Sequence, residues 1–463
     1  MGRALLTDLY ELRMAASFRR RGMHAPATFS LFVRTMPPQR GFLVACGLED
    51  CLDYLDGLAV ESDDLAALAE LGVDEQTRDA LAGLRFTGDV WAVPEGRVVF
   101  AGEPLLEVTA PIAEAQLAET YLLNQLTFGT TAASKAARIR LAAEDAGLVD
   151  FAFRRTHGGE AAMTVARASA MVGFGATSNV EAARRFGLRA AGTMAHSYVE
   201  AFPTEEEAFR AFAEDNPDNA VLLVDTYDTP TGVQKAIKVI TELGLGDTAG
   251  IRIDSGDLAT LSSDARRMLD AAGLTGTQIF ASGGLDELAI ADLRAAGAPI
   301  DAYGVGTRMG VSEDAPSLES VYKLVAYDGR PVMKLSPGKA TAPGPKQVFR
   351  GPAGDVVGLR DEPPPPGTEA LLVPVMRGGR RVAAREPVDA ARRRFEDVVL
   401  RLRAGVMAKV GERRSSGHVF KDDRRFRINN ADCALRRIDA RLAGRIAARR
   451  LLLCLRRLRH KVR

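Results

Sequence analysis

Acidic residues stand directly after two neighbouring apolar runs of the sequence. Asp225 follows AVLLV and Asp254 follows GIRI, and each run has the length and composition of a buried β-strand. Carboxylates at strand ends suit Mg²⁺ or the hydroxyl groups of a ribose, so Asp225 and Asp254 are candidate ligands for either. For each acid taken singly, the alternative is a helix cap after a strand.

Glycine-rich turns follow the next two apolar runs. Gly283 and Gly284 lie in SGG after QIFA, and Gly306 and Thr307 lie in GVGTR after IDAY. Backbone N–H groups in such turns, at the start of a helix, can hold a phosphate group. Positive charge near these ends comes from Arg154, Arg155, Arg252, Arg308 and Lys323. Acids for a metal and for hydroxyls, beside turns and cations for phosphates, predict a phosphorylated sugar as substrate.

His196 lies in GTMAHS, a turn of small residues at the end of another apolar run. A single histidine is more often a structural residue than a catalytic one, but its place at a strand end favours catalysis here. A histidine beside phosphate groups can act as an acid, a base or a phosphoryl acceptor. His196 is therefore the candidate catalytic histidine.

The segments that must position these residues repeat at a regular interval. Ala-rich helical patterns follow each of five short runs, and the successive run ends lie 24 to 32 residues apart: LRAAGT, AVLLV, GIRI, QIFA and IDAY. A (β/α)₈ barrel averages about 31 residues per unit. The rhythm predicts an α/β barrel over 126–330, whose strand ends meet at one mouth. An open doubly wound sheet gives a similar rhythm and is the alternative.

The sequence on either side of the barrel predicts a smaller α+β domain. Residues 1–125 combine helical patterns with short β runs separated by Gly and Pro, and Gly/Pro-rich turns break the βα rhythm after about residue 330. We expect about 331–395 to join 1–125 in this domain. Residues 396–463 form a basic segment with a helical pattern.

The charge distribution argues against a globally basic, nucleic-acid-binding body. The net charge is +1, but residues 401–463 hold 20 Lys/Arg and 5 Asp/Glu, which leaves 41 basic and 55 acidic residues in the other 400. The sequence has no run of 18 apolar residues, no signal-peptide pattern and no metal-type cysteine spacing. We therefore expect a cytoplasmic protein with neither a membrane nor a nucleic acid as partner.

Several longer motifs resemble the nicotinate phosphoribosyltransferase family of type II phosphoribosyltransferases. The resemblance extends over about residues 4–395 in the family's order and includes ATFSLFVRTMPPQRGFLVACGLE, TSNVEAARRFG, GTMAHSYVEAF, LLVDTYDTPTGVQKAI and IRIDSGDL. It implies an irregular (β/α) barrel with a smaller α+β domain, built from the N-terminal segment and part of the C-terminal region.

The resemblance also implies an activity. The chain would join nicotinate to 5-phosphoribosyl 1-pyrophosphate, giving nicotinate mononucleotide and pyrophosphate, in NAD salvage. ATP would be a co-substrate, hydrolysed through a phosphohistidine, and Mg²⁺ would be the cofactor. The family implies a homodimer whose active sites are shared between subunits. Little acid–base catalysis is needed, because the pyridine nitrogen is already a nucleophile and the leaving pyrophosphate needs only cations around it.

Matching motifs assign roles to single residues. His196 matches the phosphohistidine, Arg252 would face the nicotinate carboxylate or ring, Asp254 would bind ribose hydroxyls, and Asp225 would bind a hydroxyl or Mg²⁺. The matched substrate-binding positions are Tyr10, Thr193, Ser178, Arg154, Arg34, Arg40, Gly283, Gly284, Gly306, Thr307 and Lys323.

Ten of these eleven positions fall into three groups by their implied contacts, and Ser178 is considered after them. Tyr10 would stack on the pyridine ring, from the neighbouring subunit, and Thr193 would contact nicotinate. Thr307 and the backbone of the three glycines would hold the 5-phosphate. The candidates for pyrophosphate or phosphate are Arg34, Arg40, Arg154 and Lys323.

Ser178 bears on the choice between nicotinate and nicotinamide. The related nicotinamide phosphoribosyltransferases carry an aspartate at the matching position, where it accepts a hydrogen bond from the carboxamide. An aspartate would repel the carboxylate of nicotinate, whereas a serine hydroxyl can donate to it. Ser178 therefore favours nicotinate.

Other functions remain open at this point. A nicotinamide or a quinolinate phosphoribosyltransferase would use similar residues, although the quinolinate enzyme should not need His196. A catalytically silent paralogue with a binding role is a further alternative, against which the intact candidate residues argue. The basic tail could dock on the acidic body, have no function, or contact a nucleic acid or an anionic membrane surface.

Overall fold

A computed structural model of the 463-residue chain describes residues 3–334, 341–352, 354–409 and 426–428. The helices of these residues are α1 Leu9–Arg20, α2 Leu48–Asp56, α3 Ser62–Glu70, α4 Glu75–Leu81, α5 Ile112–Leu117, α6 Glu119–Ala143, α7 Gly159–Met171, α8 Val180–Phe186, α9 His196–Glu200, α10 Glu205–Asp215, α11 Thr229–Leu243, α12 Leu258–Ala271, α13 Glu287–Ala295, α14 Thr307–Gly310 and α15 Val388–Lys409. The strands are β1 Pro26–Val33, β2 Leu43–Val44, β3 Asp89–Ala92, β4 Val98–Val99, β5 Pro104–Pro111, β6 Gly147–Asp150, β7 Ala176–Thr177, β8 Val221–Leu223, β9 Gly250–Ile253, β10 Gln278–Ala281, β11 Ala302–Val305, β12 Ser320–Tyr327, β13 Arg330–Pro331, β14 Lys346–Gly351, β15 Gly354–Leu359, β16 Glu369–Ala370, β17 Val373–Arg377, β18 Arg380–Arg381 and β19 Phe426–Ile428.

The described chain forms two compact units. The first unit contains residues 3–134 and the described residues from 314 onward, and the second unit contains 135–313. Helix α6 contains the boundary between them. The domain limits drawn from the sequence stay a prediction, and residues 410–425 and 429–463 of the basic tail lie outside the described part of the chain.

A six-stranded parallel sheet forms the second unit. Its order is β7-β6-β11-β10-β9-β8, so the last strand in the chain, β11, pairs with the first, β6. This is the cyclic order of a barrel with a seam between β7 and β8, and the sheet curls into a half barrel. The predicted α/β architecture with an irregular barrel is confirmed.

The short apolar runs form these strands because they are covered on both faces. GIRI and QIFA are β9 and β10 over their full length, and Ile251 and Ile279 are completely buried. Parallel strands buried on both faces have nearly continuous apolar sequences rather than alternating ones. The prediction of a strand at LRAAGT is wrong. Only an isolated bridge joins Ala190 to Thr177 there, because the residues around Ala190 are exposed and cannot bury a strand.

Antiparallel sheets dominate the first unit. The seven-stranded sheet has the order β13-β12-β1-β5-β3-β17-β18, and a four-stranded sheet has the order β16-β14-β15-β19. Strands from the N-terminal segment and from the segment after residue 330 therefore share a sheet, which confirms the predicted smaller α+β region. Its core includes Phe29 stacked on Tyr322 at 4.7 Å, and the Tyr322 hydroxyl donates to the Ala115 carbonyl at 2.8 Å.

None of the helices in the described ranges is both long and apolar enough to cross a membrane.

Candidate active site

A cavity of about 400 Å³ opens at the carboxyl ends of the parallel strands in the second unit. This end is where α/β folds of this kind bind ligands. The cavity is lined by Phe151, Phe153, Arg154, Ser178, Gly192, Thr193, Met194, Ala195, His196, Arg252 and Asp254. Six of the residues predicted from the sequence are therefore brought together in one place: Arg154, Ser178, Thr193, His196, Arg252 and Asp254.

The two strand-end acids are linked to each other. The Asp225 Oδ2 atom accepts hydrogen bonds from the Asp254 backbone N–H at 2.9 Å and from the Ser255 hydroxyl at 2.6 Å. Its Oδ1 atom is buried and has no hydrogen-bond partner among the described residues. Asp254 faces the cavity, and its Oδ1 atom accepts from the Ser282 hydroxyl. Asp225 thus offers a fixed, unused oxygen to a hydroxyl or a cation.

The helix-cap alternative applies to the neighbouring acids instead. Asp228 caps α11 through the Thr231 backbone N–H at 3.0 Å, and Asp257 caps α12 through the Ala259 backbone N–H at 3.2 Å. Asp228 and Asp257 therefore cap the N-termini of α11 and α12, and Asp225 and Asp254 are not needed as caps.

Arg252 is a partly desolvated cation that retains an unused donor. Its Nη1 atom donates to the Thr193 hydroxyl, and its Nε atom is buried without a partner among the described residues. Burial lowers the pKa of the Arg252 guanidinium, Asp254 and Asp225 act in the opposite direction, and Arg154 adds to the lowering. Because an arginine still keeps its charge in a protein, Arg252 can receive a carboxylate or another anion in the cavity.

His196 is the first residue of α9 and lines the same cavity. Its Nδ1 atom lies 3.2 Å from the Thr226 hydroxyl, and the hydroxyl serves as donor or acceptor according to the ring tautomer. This contact fixes the ring orientation at the cavity wall, as required of a histidine that exchanges a proton or a phosphoryl group.

Gly283 is required by a close backbone approach. Its φ is +92°, and a Cβ atom there would lie 1.9 Å from the Asp254 carbonyl oxygen. Gly284 has a φ of +62° with open space beside its Cα. Gly306 precedes α14, and Thr307 is its exposed first residue. These turns stand at the same strand ends as the cavity, although none of the four residues lines it.

Two aromatic residues of the cavity were missed in the sequence. Phe151 and Phe153 follow the end of β6, and Phe153 is 49% exposed. A Cβ on Gly304 would lie 2.3 Å from the Phe151 ring, so glycine there makes room for that ring. Flat apolar faces at a cavity wall suit a planar ring. The signal was the pair of phenylalanines two residues apart, directly after a strand and before Arg154.

Asp150, at the end of β6, was also missed. It is 1% exposed, and it accepts hydrogen bonds from the Thr177 hydroxyl at 2.7 Å and the Ala152 backbone N–H at 2.8 Å. Burial raises the pKa of the Asp150 carboxyl, and these two hydrogen bonds oppose the rise. An acid after the apolar run GLV was the available signal, of the same kind that identified Asp225.

The other four predicted residues belong to the first unit. Tyr10 lies half-exposed on α1, and burial and the nearby Glu119 and Glu11 carboxylates raise the pKa of its phenol. Arg34 follows β1, and Lys323 lies on β12 opposite Ser30.

Arg40 differs from the other cations of the first unit. It is 4% exposed, and its guanidinium binds both carboxylate oxygens of Asp314, at 2.9 and 3.0 Å, and the Thr131 carbonyl at 2.8 Å. An incoming phosphate would have to displace Asp314 from Arg40. The parts of Tyr10, Arg34, Arg40 and Lys323 in the site stay predictions.

The donor atoms of the site bear on whether it could hold a metal ion. The described residues contain no group of three or more His, Cys, Asp or Glu side chains that could hold a metal ion. The unused Asp225 oxygen fits a hard cation such as Mg²⁺, which protein sites often bind through one or two carboxylates together with substrate phosphates.

Two family models together match most of the described chain. The model for the nicotinate phosphoribosyltransferase (NAPRTase) N-terminal domain matches residues 5–127, and the model for the nicotinate phosphoribosyltransferase (NAPRTase) family matches residues 146–344.

Named relatives agree with these matches. The nicotinate phosphoribosyltransferase pncB2 of Mycobacterium tuberculosis is 49% identical over 398 residues, which cover 84% of this chain and 85% of the relative. The nicotinate phosphoribosyltransferase of Bacillus subtilis is 45% identical over 376 residues, covering 78% of this chain and 76% of the relative.

Solved structures share the fold. The crystal structure of human nicotinic acid phosphoribosyltransferase has a TM-score of 0.75 and 29% identity, and the match covers 85% of this chain and 94% of that one. A nicotinate-nucleotide pyrophosphorylase from Pyrococcus furiosus has a TM-score of 0.72 at 23% identity, covering 86% and 95% of the two chains, and at that identity it shows the fold alone.

Proposed function

The chain belongs to the nicotinate phosphoribosyltransferase family, and from this premise we propose that it joins nicotinate to 5-phosphoribosyl 1-pyrophosphate, releasing nicotinate mononucleotide and pyrophosphate. The reaction forms a bond between the pyridine nitrogen and the anomeric carbon and breaks the bond from that carbon to pyrophosphate. Its product would feed NAD salvage.

The observation that carries the proposal is the pairing of Arg252 with flat apolar walls in one cavity. The buried Arg252 Nε atom has no partner among the described residues, and the Ser178 hydroxyl makes no hydrogen bond with them either. Together these two donors suit the carboxylate of nicotinate, while Phe151 and Phe153 suit its ring. A carboxamide carries no charge, so it would gain less from Arg252 than a carboxylate does.

The strand-end acids support binding of the ribose. Asp254 faces the cavity with one oxygen held by Ser282, which leaves its second oxygen to accept from a ribose hydroxyl. The turns at Gly283 and Thr307 offer backbone N–H groups to the 5-phosphate. Mg²⁺, bound at the unused Asp225 oxygen, would neutralise the leaving pyrophosphate.

ATP coupling is proposed to run through His196. The ring stands at the cavity wall, oriented by Thr226. A phosphoryl group transferred from ATP to His196, with ADP as leaving group, would place negative charge in the cavity that Arg154 and Arg252 also line. Its later hydrolysis, with water as acceptor, would return the free histidine and help to drive the synthesis forward.

A homodimer with shared sites belongs to the same proposal. Tyr10 and its neighbours Leu6, Leu9 and Met14 are exposed on or beside α1 at 38–54%. In a dimer, the Tyr10 ring would reach the pyridine ring of the neighbouring subunit's site. Sedimentation analysis of the purified protein tests the oligomeric state directly.

The decisive experiment supplies the purified protein with nicotinate, phosphoribosyl pyrophosphate, Mg²⁺ and ATP, and measures nicotinate mononucleotide and ADP. Nicotinamide and quinolinate are run in parallel, together with the variant His196→Ala. We expect product from nicotinate with accompanying ADP, and no ADP from the variant. Product from quinolinate or nicotinamide alone would identify a different phosphoribosyltransferase, and no product from any base would indicate a silent paralogue.

A further inference from the structure

A buried carboxylate joins two of the turns that line the cavity. The Asp150 Oδ1 atom accepts from the Ala152 backbone N–H at 2.8 Å, and its Oδ2 atom accepts from the Thr177 hydroxyl at 2.7 Å. The Thr177 oxygen also accepts from the Asn179 backbone N–H at 3.0 Å, so its own hydrogen points to Asp150. A continuous path of hydrogen bonds therefore runs from Asn179 through Thr177 and Asp150 to Ala152.

Each end of this path carries cavity residues. Ala152 stands between Phe151 and Phe153, and the Thr177–Asn179 turn contains Ser178. The Ser178 backbone N–H donates to the Asp150 carbonyl at 2.8 Å, which adds a second link between the same two turns.

The path extends to the segment that leads to His196. The Thr177 carbonyl accepts from the Ala191 backbone N–H at 2.9 Å, one residue before the cavity-lining stretch 192–196 begins. Thr177 is therefore bonded through both its side chain and its backbone to segments that form the cavity wall.

General stability does not account for this arrangement. Asp150 is 1% exposed and Thr177 is 1% exposed, and no charged side chain of the described ranges acts on the Asp150 carboxyl. Burying a carboxylate without a counter-ion is costly, and an apolar pair of similar shape would hold two strands together at least as well. Buried polar links of this kind instead fix one geometry.

We propose that Asp150 and Thr177 are positioning residues that fix the aromatic turn 151–154 relative to Ser178, and thereby set the enzyme's affinity for a flat base bearing a carboxylate. The inference rests on the proposed function for the identity of that base. The clamp, meaning the Asp150–Thr177 hydrogen bond with its partners Ala152 and Asn179, touches no substrate and acts through the residues on either side of it.

The test compares Thr177→Val with two other variants of the full-length protein. Thr177→Val keeps the shape of the side chain and removes its hydroxyl, which leaves Asp150 Oδ2 and the Asn179 N–H unbonded. Thr277→Val is the matched control, because Thr277 is also 1% exposed and its hydroxyl donates once, to the Gly246 carbonyl at 2.8 Å, at the start of β10. Thr177→Ser is the conservative variant, because it keeps the hydroxyl and removes only the methyl group.

Three measurements separate positioning from a merely structural role. Steady-state kinetics give KM for nicotinate, KM for phosphoribosyl pyrophosphate and kcat. We expect Thr177→Val to raise KM for nicotinate about tenfold with a smaller change in kcat, the scale of one lost hydrogen bond to a charged group. Thr177→Ser should stay near the parent value, and Thr277→Val should lower thermal stability without changing KM for nicotinate.

Hydrogen exchange provides a readout that does not depend on activity. In Thr177→Val, the amides of 151–154 and 177–179 should exchange faster than in the parent protein and in Thr277→Val. The clamp would be overturned by unchanged exchange in both turns, or by equal KM values for nicotinate in Thr177→Val and Thr277→Val. If the parent enzyme is active in that case, the proposed function still stands. A different result is faster exchange in Thr177→Val together with a parent protein that forms no product from any base. That result would overturn the proposed function and, with it, the role of the clamp in nicotinate binding.

Discussion

The substitution Gly283→Ala tests whether the position of Asp254 limits the reaction. A Cβ atom at residue 283 would lie 1.9 Å from the Asp254 carbonyl oxygen, whereas ordinary van der Waals contact begins near 3.4 Å. The obstacle is backbone rather than a flexible side chain, so one of the two segments must move by about 1.5 Å, the difference between these distances. Because Asp254 lines the cavity, this movement displaces a residue that we propose binds the ribose of the substrate.

The expected loss of activity follows from that displacement. A misplacement of about 1 Å in a catalytic arrangement can cost about 100-fold in rate. We therefore expect kcat/KM for nicotinate mononucleotide synthesis to fall by about that factor or more. An alanine at the positive φ of residue 283 adds a separate cost of about 1 kcal/mol to the free energy of unfolding. For a unit of the size of 135–313, this cost lowers Tm by about 2–4 °C.

Gly273→Ala is the control for backbone strain alone. Gly273 follows α12 with a φ of +79°, and a Cβ there meets no atom within 4 Å. It should share the drop in Tm and keep its activity. The assay measures nicotinate mononucleotide formation and Tm for both variants. Parent-like activity in Gly283→Ala would refute the reasoning, as would equal activity losses in the two variants.

Three further predictions concern other parts of the molecule. Ser178→Asp should lower kcat/KM for nicotinate much more than for nicotinamide, and equal losses would remove Ser178 from the specificity argument. Arg252→Lys should lower kcat/KM for nicotinate about 100-fold with little change in Tm, because an ammonium cannot keep the Thr193 contact and also replace the buried Nε donor. A kcat/KM equal to that of the parent would contradict a role for Arg252 in binding the nicotinate carboxylate. Asp314→Asn should reduce the free energy of unfolding by about 3 kcal/mol in urea titration, because it removes the counter-charge of the fully buried Arg40 side chain, and an unchanged midpoint would show that the pair is dispensable.

The barrel strands were predictable because their burial is local information. The buried positions of GIRI and QIFA hold only apolar or small residues, and the bounds of the two runs match β9 and β10. The same signal failed at LRAAGT, where the apolar residues are too few and too exposed to form a strand. The strand order could not be read in this way. The pairing of β6 with β11 joins residues more than 150 positions apart, and no local pattern encodes it.

The site was predictable to the extent that its residues carry charge or occupy glycine turns. Arg252, Asp254 and His196 were found by type and position, and the structure brings them to one cavity. Phe151 and Phe153 were missed because an aromatic residue after a strand is usually a core residue. Only the structure distinguishes the 49% exposed Phe153 from the buried majority.

Asp254 is held at three points by groups from neighbouring strand ends, which indicates how the site does its work. Its backbone N–H donates to Asp225, its carboxylate accepts from Ser282, and its carbonyl packs against the Cα of Gly283. A residue so restrained contributes a fixed position rather than a mobile proton. The reaction has the same requirement, because the pyridine nitrogen attacks without a base and the barrier falls mainly through alignment and charge placement. We therefore infer that the buried hydrogen bonds at the strand ends fix the polar side chains of the site in position before the substrate binds.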